Sequence, residues 1–196
     1  MKRTNLIAAG MAITLVTGCV VTSIYPFYLE KDILFEPALL GSWQKAGQPD
    51  EHWTFARGKA NDYLITCVSK DSTNLFQGYA FQLHGEKFLD LSAAQWKVDI
   101  QPEPVPSHLL ARIRQTAPSL KLAPLNYDWL KEWVAKNPKA IRHIIIKTGD
   151  GPEDRRVILT GDTRQLQRFV TKQLYTKGAW DDALELQPAI PQPRSH

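Results

Sequence analysis

The sequence predicts a mainly β domain of the α+β class, in which an antiparallel meander precedes two amphipathic helices. Between residues 40 and 122, apolar and polar residues alternate in short runs, which is the pattern of half-buried strands. Turn-forming residues separate these runs, so neighbouring strands can pair as hairpins. Near the C-terminal end, the apolar spacing changes to that of helices over 127–137 and 162–177. A chain of 196 residues is long enough for one such domain.

The predicted strands begin at Leu40 and follow one another closely. They are 40–44, 52–55, 63–68, 75–83 and 88–91, and strand-like alternation returns at 109–113 and 120–122. Turns are predicted at 70–72 and 85–87 because these residues favour turn conformations. The proline-rich run 102–106 cannot lie inside a strand or a helix, so it interrupts the meander.

Each predicted helix has a polar residue in position to cap its first turn. Asn126 precedes the first helix, and Asp162 begins the second, with Gln165 placed for a capping box. The apolar stripes of the two helices consist of Tyr127, Leu130, Trp133 and Val134, and of Leu166, Phe169, Val170 and Leu174. Two β-branched runs, 144–146 and 157–159, lie between the helices and predict a further strand pair.

Aromatic residues are prominent in the predicted meander, and the chain contains six Trp. Large aromatic side chains either fill a core or line an apolar ligand pocket. We therefore take Trp43, Trp53, Tyr79 and Phe81 as candidate pocket or core residues. Cys67 lies in a strand-like run, which favours the role of a small buried apolar residue.

The charge pattern does not predict a nucleic-acid partner. The net charge of the whole chain is +4, and two of the positive charges, Lys2 and Arg3, lie in a segment that we expect to be removed. Without them, 22 basic side chains face 20 acidic ones. The remaining basic residues are interspersed with acidic ones, which is typical of a solvated mixed surface.

The N-terminus has the features of a secretory signal peptide. A basic start, Met1–Arg3, precedes an uncharged and mostly apolar run over 6–16, and small residues follow. An uncleaved transmembrane helix is the alternative, because no charged residue occurs between Thr4 and Leu29. Glycine, threonine and proline interrupt that stretch, which favours cleavage.

Residues 16–19, Val-Thr-Gly-Cys, resemble the lipobox of bacterial lipoproteins. The resemblance implies cleavage between Gly18 and Cys19, a diacylglycerol on the Cys19 thiol, and acylation of the new N-terminus, with palmitate as an expected chain. The partner of Cys19 would then be a membrane. Val20 is not the acidic retention signal of enteric lipoproteins, so the resemblance implies the outer membrane, facing the periplasm. In a bacterium with one membrane, the plasma membrane is the alternative.

These features divide the chain into four parts. They are a signal peptide (1–18), a lipidated N-terminus and tether (19–36), one β-rich globular domain (37–186) and a flexible tail (187–196). With Cys19 lipidated, Cys67 is the only other Cys, so no intrachain disulfide is expected.

Two further resemblances concern the domain. Gly41-Ser42-Trp43 resembles the Gly-x-Trp motif of lipocalin-like proteins, which implies a barrel or half-barrel. Several segments also resemble a family of uncharacterised bacterial lipoproteins, from which no function can be transferred. These segments are 26–32, 37–43, 88–91 and 122–125 before Trp129-Leu130.

No catalytic motif stands out, so we expect no enzymatic activity, no cofactor and no metal site. The five His lack metal-ligand spacing, and neither a Gly-x-Ser-x-Gly elbow nor a phosphate-binding glycine loop occurs. We expect a membrane-anchored lipoprotein that binds an envelope partner or an apolar small ligand. The alternatives are an envelope assembly factor acting through exposed helix surfaces, and an enzyme with a scattered site such as His84, Asp90 and His108. A large open cavity lined by Trp and Phe would favour ligand binding, and a filled barrel with an exposed apolar patch would favour assembly.

Overall fold

The computed structural model describes residues 20–48, 50–94, 107–147, 149, 151 and 155–189. The predicted signal peptide, Cys19, the proline-rich run 102–106 and the end of the predicted tail from residue 190 lie outside these ranges. The described strands are β1 (Thr22–Ser23), β2 (Gly41–Lys45), β3 (His52–Arg57), β4 (Tyr63–Ser69), β5 (Ser72–Leu83), β6 (Glu86–Ala93), β7 (His108–Gln115), β8 (Leu120–Pro124), β9 (His143–Lys147), β10 (Arg155–Leu159) and β11 (Leu184–Pro188). The helices are α1 (Tyr127–Lys136) and α2 (Thr163–Gln173).

Eight strands close into an antiparallel barrel. Strands β2 to β8 pair in chain order as a meander, and β11 completes the ring between β8 and β2. The mainly β fold class predicted from the sequence is therefore confirmed, as a closed barrel rather than a half-barrel. Both predicted helices and the strand pair between them are also present.

The hairpin turns lie at or next to the predicted positions; the one predicted at 85–87 begins one residue earlier, and Glu86 and Lys87 already belong to β6. Strands β4 and β5 are joined at residues 70–71, and β5 and β6 are joined at His84-Gly85. Both residues of the second turn have positive φ angles, 49° and 83°. That backbone matches the right-handed twist of the flanking strands, and glycine adopts it without steric cost.

The barrel interior is packed with its own side chains. Trp43 and Trp53 are directly opposite each other on β2 and β3, and both are buried. At Gly78 on β5, an added Cβ would lie 2.6 Å from Ile65 Cδ1, so not even a methyl group fits without movement. The other buried members of this interior core are Leu39, Phe55, Tyr63, Ile65, Cys67, Ala80, Leu89, Leu91, Ala111, Ile113, Leu120, Leu122 and Leu186.

A second core lies on the outer face of the barrel, beneath both helices. Strands β5, β6 and β7 carry apolar residues on both faces, so their outward-facing side chains need a cover. On β5, Phe81 and Leu83 are buried in this core, Tyr79 is half-buried beside it, and Leu75 is exposed. The buried members are Val21, Phe27, Phe81, Leu83, Phe88, Leu110, Leu125, Tyr127, Leu130, Val134, Ile141, Val157, Leu159, Leu166, Phe169, Val170 and Leu174.

Both helices begin at the predicted caps. The Trp129 backbone N–H donates to Asn126 Oδ1 at 2.7 Å, and the Gln165 N–H donates to Asp162 Oδ1 at 2.9 Å. Helix α2 ends at Gln173, four residues before the predicted end at 177. Leu174 remains buried and so extends the apolar pattern, but the chain then turns towards β11 through Gly178, whose φ is 80°.

The segment predicted as a tether packs on the domain from residue 20 onwards. Strand β1 pairs with β7 on one side and with β10 on the other, and Val21 is only 1% exposed. Phe27 is also buried, because the apolar side chains of this segment cover the outer face of the barrel. At the other end, Gln187 and Pro188 pair in β11, so these two residues do not belong to a tail.

Candidate functional site

The aromatic residues predicted to line a pocket or fill a core are divided between two places. Trp43 and Trp53 lie in the barrel interior, whereas Phe81 lies in the second core on the outer face. Tyr79 is half-buried on that outer face, where its ring centroid lies 4.7 Å from that of Tyr28. The structure therefore brings these residues together in two pairs and does not form one aromatic pocket from all four.

Two of the three residues considered for a scattered catalytic site do meet. His108 Nδ1 lies 2.7 Å from Asp90 Oδ1, while His84 is exposed in the turn between β5 and β6. Asp90 is 1% exposed, and its other oxygen, Oδ2, accepts the Phe27 backbone N–H at 2.8 Å. Burial, followed by the charge of Asp90, raises the pKa of the neighbouring Tyr28. Both Asp90 oxygens therefore have partners, and the hydrogen bond from Phe27 ties the N-terminal segment to β6.

A cleft of about 310 Å³ lies outside the barrel, between the chain that follows α1 and one face of α2. Its apolar part consists of Trp133, Ile141 and Phe169, all of which belong to the second core or pack against it. The remaining lining residues are polar or small: Lys139, Ala140, Arg142, Gln165, Arg168, Lys172 and Gln173. A volume of this size is at the small end of ligand sites, which run from about 300 to 1,000 Å³.

Four of the lining residues are cations, and we call this site the basic cleft: Lys139, Arg142, Arg168 and Lys172. In the part of the chain that the structure describes, none of the four forms an ion pair with a carboxylate. By contrast, two basic residues of the barrel have carboxylate partners: Lys87 pairs with Glu36 of the N-terminal segment, and Arg112 pairs with Glu86 on β6. A cleft lined by charges of one sign focuses their field and attracts anions.

The local sequence explains how the cations converge. Arg168 and Lys172 are four residues apart on α2, so they lie on one face of the helix, next to the buried Phe169. On the opposite wall, a turn follows α1, in which the Ala140 N–H donates to the Asn137 carbonyl at 3.0 Å. The buried Ile141 holds this turn against the second core and leaves the side chains on either side of it exposed.

Sequence reasoning missed the basic cleft because its two walls are distant in the chain. One local signal was available, since Arg164, Arg168 and Lys172 repeat every fourth residue along α2. That repeat alone is typical of any solvated helix face. Only the tertiary structure places Lys139 and Arg142 opposite it, over an aromatic floor.

The described residues contain neither a metal-binding cluster nor a membrane-spanning helix. Among the described residues, no group of three or more His, Cys, Asp or Glu side chains is placed to hold a metal ion. Neither α1 nor α2 has the length and apolar character to cross a bilayer, and no other described helix does. No protein-family model, no curated protein and no solved structure matches the chain.

The side chains of the basic cleft are suited to binding an anion that also has an apolar part. Its cations can each donate hydrogen bonds to an anion, and arginine can do so with two parallel bonds. Trp133 and Phe169 provide aromatic surface for an apolar part of the same ligand. Gln165 also lines the cleft, and its side-chain oxygen is buried without a hydrogen-bond partner among the described residues.

Proposed function

We propose that this protein is an envelope lipoprotein, anchored by a lipid on Cys19, that binds an amphiphilic anion in the basic cleft without catalysis. The ligand class is a small molecule or lipid headgroup in which a phosphate or carboxylate adjoins an apolar group. The observation that carries the proposal is the set of four cations, without carboxylate partners in the described structure, around an aromatic floor. The cations select the anion, and the floor contacts the apolar part.

The filled barrel argues against an interior ligand site, and together with the exposed isoleucines of β9 it supports the alternative of an assembly factor. The basic cleft is the observation that favours ligand binding instead. An apolar ligand inside the barrel would have to displace buried residues such as Trp53 and Ile65. At Gly78, even one added methyl group would require the Ile65 side chain to move. Displacing side chains from a core packed to this density costs several kcal/mol, so an interior ligand site is disfavoured. The basic cleft is already open.

The anchor is supported by the sequence features around Cys19. A basic start, an apolar run and the lipobox resemblance occur in the order that lipid attachment requires. Two acyl chains or more give a stable anchor, since each buried methylene contributes about 0.8 kcal/mol. We expect the outer membrane, facing the periplasm, as the location, with the plasma membrane in a bacterium that has only one.

Ligand binding is tested by titrating the full-length protein, in a neutral detergent, with phenyl phosphate as the probe. Calorimetry should detect binding that weakens as salt is added, because the cations are exposed to solvent. The double substitution K139Q/K172Q removes two cleft cations. Each exposed contact contributes about 0.2–1 kcal/mol. We therefore expect about a two- to thirtyfold weaker affinity.

The matched control is K59Q/K70Q, which removes the same charge from exposed lysines in the loops on either side of β4. We expect its affinity for phenyl phosphate to equal that of the parent protein. If both double variants bind alike, the basic cleft is not the site. The anchor is tested separately: a C19S variant that keeps the intact mass and the membrane association of the parent would refute lipid attachment.

A further inference from the structure

The edge strand β9 exposes three consecutive isoleucines to solvent. In β9, Ile144, Ile145 and Ile146 are 45%, 50% and 43% exposed. Strand β9 pairs only with β10 among the described strands, so its other edge is open. Open edges of this kind usually carry charged residues that prevent association. An exposed apolar edge strand therefore indicates a surface that binds a partner or a membrane.

The packed fold begins immediately after Cys19. Val20 forms an antiparallel bridge with Asn126, and Val21 is buried. Consecutive Cα atoms are about 3.8 Å apart, so no spacer separates Val20 from residue 19. If Cys19 carries a lipid, as the proposed function requires, the bilayer surface must lie directly against the part of the domain that surrounds Val20.

The strand register shows which surface that is. Strand β1 is parallel to β10, with Thr22 opposite Ile158, and Ile158 is in turn opposite Ile144 on β9. The chain that leads back from Thr22 to Val20 therefore runs towards the end of the sheet that contains Ile146 and Lys147. Adjacent strands are about 4.8 Å apart, so β9 lies only about 10 Å from β1.

We propose that the hairpin formed by β9 and β10 rests in the surface of the bilayer that holds Cys19, with Ile144, Ile145 and Ile146 in contact with lipid. The proposal rests on the lipid anchor of the proposed function and adds the orientation of the domain. A lipid surface is the occupant because the chain leaves towards Cys19 at the same end of the sheet.

The charges of the hairpin indicate that this contact is mainly apolar. Three basic residues, Lys147, Arg155 and Arg156, flank three acidic residues in the connecting segment, Asp150, Glu153 and Asp154. Their formal charges cancel, so the hairpin has no net attraction for anionic lipid. We therefore expect the contact to form on zwitterionic phosphatidylcholine and to depend only weakly on salt.

The orientation is tested with lipidated full-length protein in phosphatidylcholine vesicles that contain a nitroxide-labelled lipid. An environment-sensitive fluorophore is attached to the new thiol of I145C. Cys67 does not compete for the label, because burial raises the pKa of its thiol to about 12. The matched control is L64C on β4, where the parent side chain is 52% exposed and lies three strands round the barrel from β7.

We expect the fluorophore at position 145 to be quenched at least threefold more strongly than at position 64, with blue-shifted emission. Equal quenching at the two positions would overturn the orientation. Blue-shifted emission at position 145 without quenching by the labelled lipid would also overturn the orientation, because protein rather than lipid would then cover β9. Intact mass separates the two proposals: a chain without lipid refutes the anchor and with it the orientation, whereas a lipidated chain without quenching refutes the orientation alone.

Discussion

The contact between Asp90 and the N-terminal segment provides the sharpest test of the fold. Asp90 is buried on β6 and accepts two hydrogen bonds, one from the Phe27 backbone N–H and one from His108. The substitution D90A removes both acceptors at once. Each donor left without a partner in a buried position costs about 1–3 kcal/mol. We therefore expect D90A to lower the free energy of unfolding by about 3 kcal/mol.

The isosteric D90N variant should be milder. Its amide oxygen can still accept the Phe27 N–H, and its NH₂ group can donate to His108 if the imidazole carries its proton on Nε2. The loss is then confined to the charge of the carboxylate, about 1 kcal/mol. The order of stability expected from the geometry is parent, D90N, D90A.

Urea and thermal unfolding, followed by circular dichroism, measure this series. For a domain of this size, 1 kcal/mol changes the Tm by about 2–4 °C, so D90A should melt about 6–12 °C below the parent. Hydrogen exchange adds a local readout, because the Phe27 amide should lose protection in D90A. The control is D71A in the exposed turn before β5, which should change stability by less than about 0.5 kcal/mol. If D90A and D71A unfold alike, the Asp90 contact does not hold the segment.

Two further predictions concern a buried ion pair and the barrel interior. Arg112 on β7 is buried and binds Glu86, with Nε–Oε2 and Nη2–Oε1 distances of 3.1 and 2.7 Å, and this hydrogen bonding holds the pKa of Glu86 below its usual 4.5. Because the pKa of Glu86 is lower in the folded state, the stabilisation is complete above pH 4.5 and is lost as the pH falls through the folded-state value. The substitution E86Q should cost about 2–4 kcal/mol of unfolding free energy at pH 7 and should flatten the dependence of stability on pH in the acidic range. If stability falls with acid as steeply in E86Q as in the parent, the assignment is wrong. In the barrel interior, G78A should lower the free energy of unfolding by about 1–2 kcal/mol, because the new Cβ meets Ile65 Cδ1. The substitution I65V removes that atom, so it should be less destabilising in the G78A background than in the parent protein. If denaturant titrations give additive losses of stability for the two substitutions, the two side chains do not collide.

Local patterns were sufficient to predict most elements of the barrel. The alternation in β3 and β4, the turn-forming Gly85 between β5 and β6, and the caps at Asn126 and Asp162 each depend on a few neighbouring residues. Such patterns report backbone conformation and one-sided burial directly, so the strands, the hairpins and the helix starts could be located.

Long-range features could not be predicted in this way. Strand β11 is short and ends in a proline, and nothing local indicates that it pairs with both β8 and β2. Strand β1 has two residues, too few to show any period. The basic cleft combines residues from two segments, and the packing of Ile141 against the second core determines their approach. Each of these depends on contacts between residues far apart in the chain.

The position of β11 has a consequence for how the barrel forms. Its two neighbours, β2 and β8, are synthesised well before it, because a ribosome makes the chain from its N-terminus. Until residues 184–188 arrive, both neighbours present unpaired backbone groups along one edge. Such edges can pair with other chains, and a ring that closes between its first and last strands forms slowly. Before β11 pairs, the open barrel is therefore exposed to aggregation, and loss of residues 184–188 would leave the seam between β2 and β8 open.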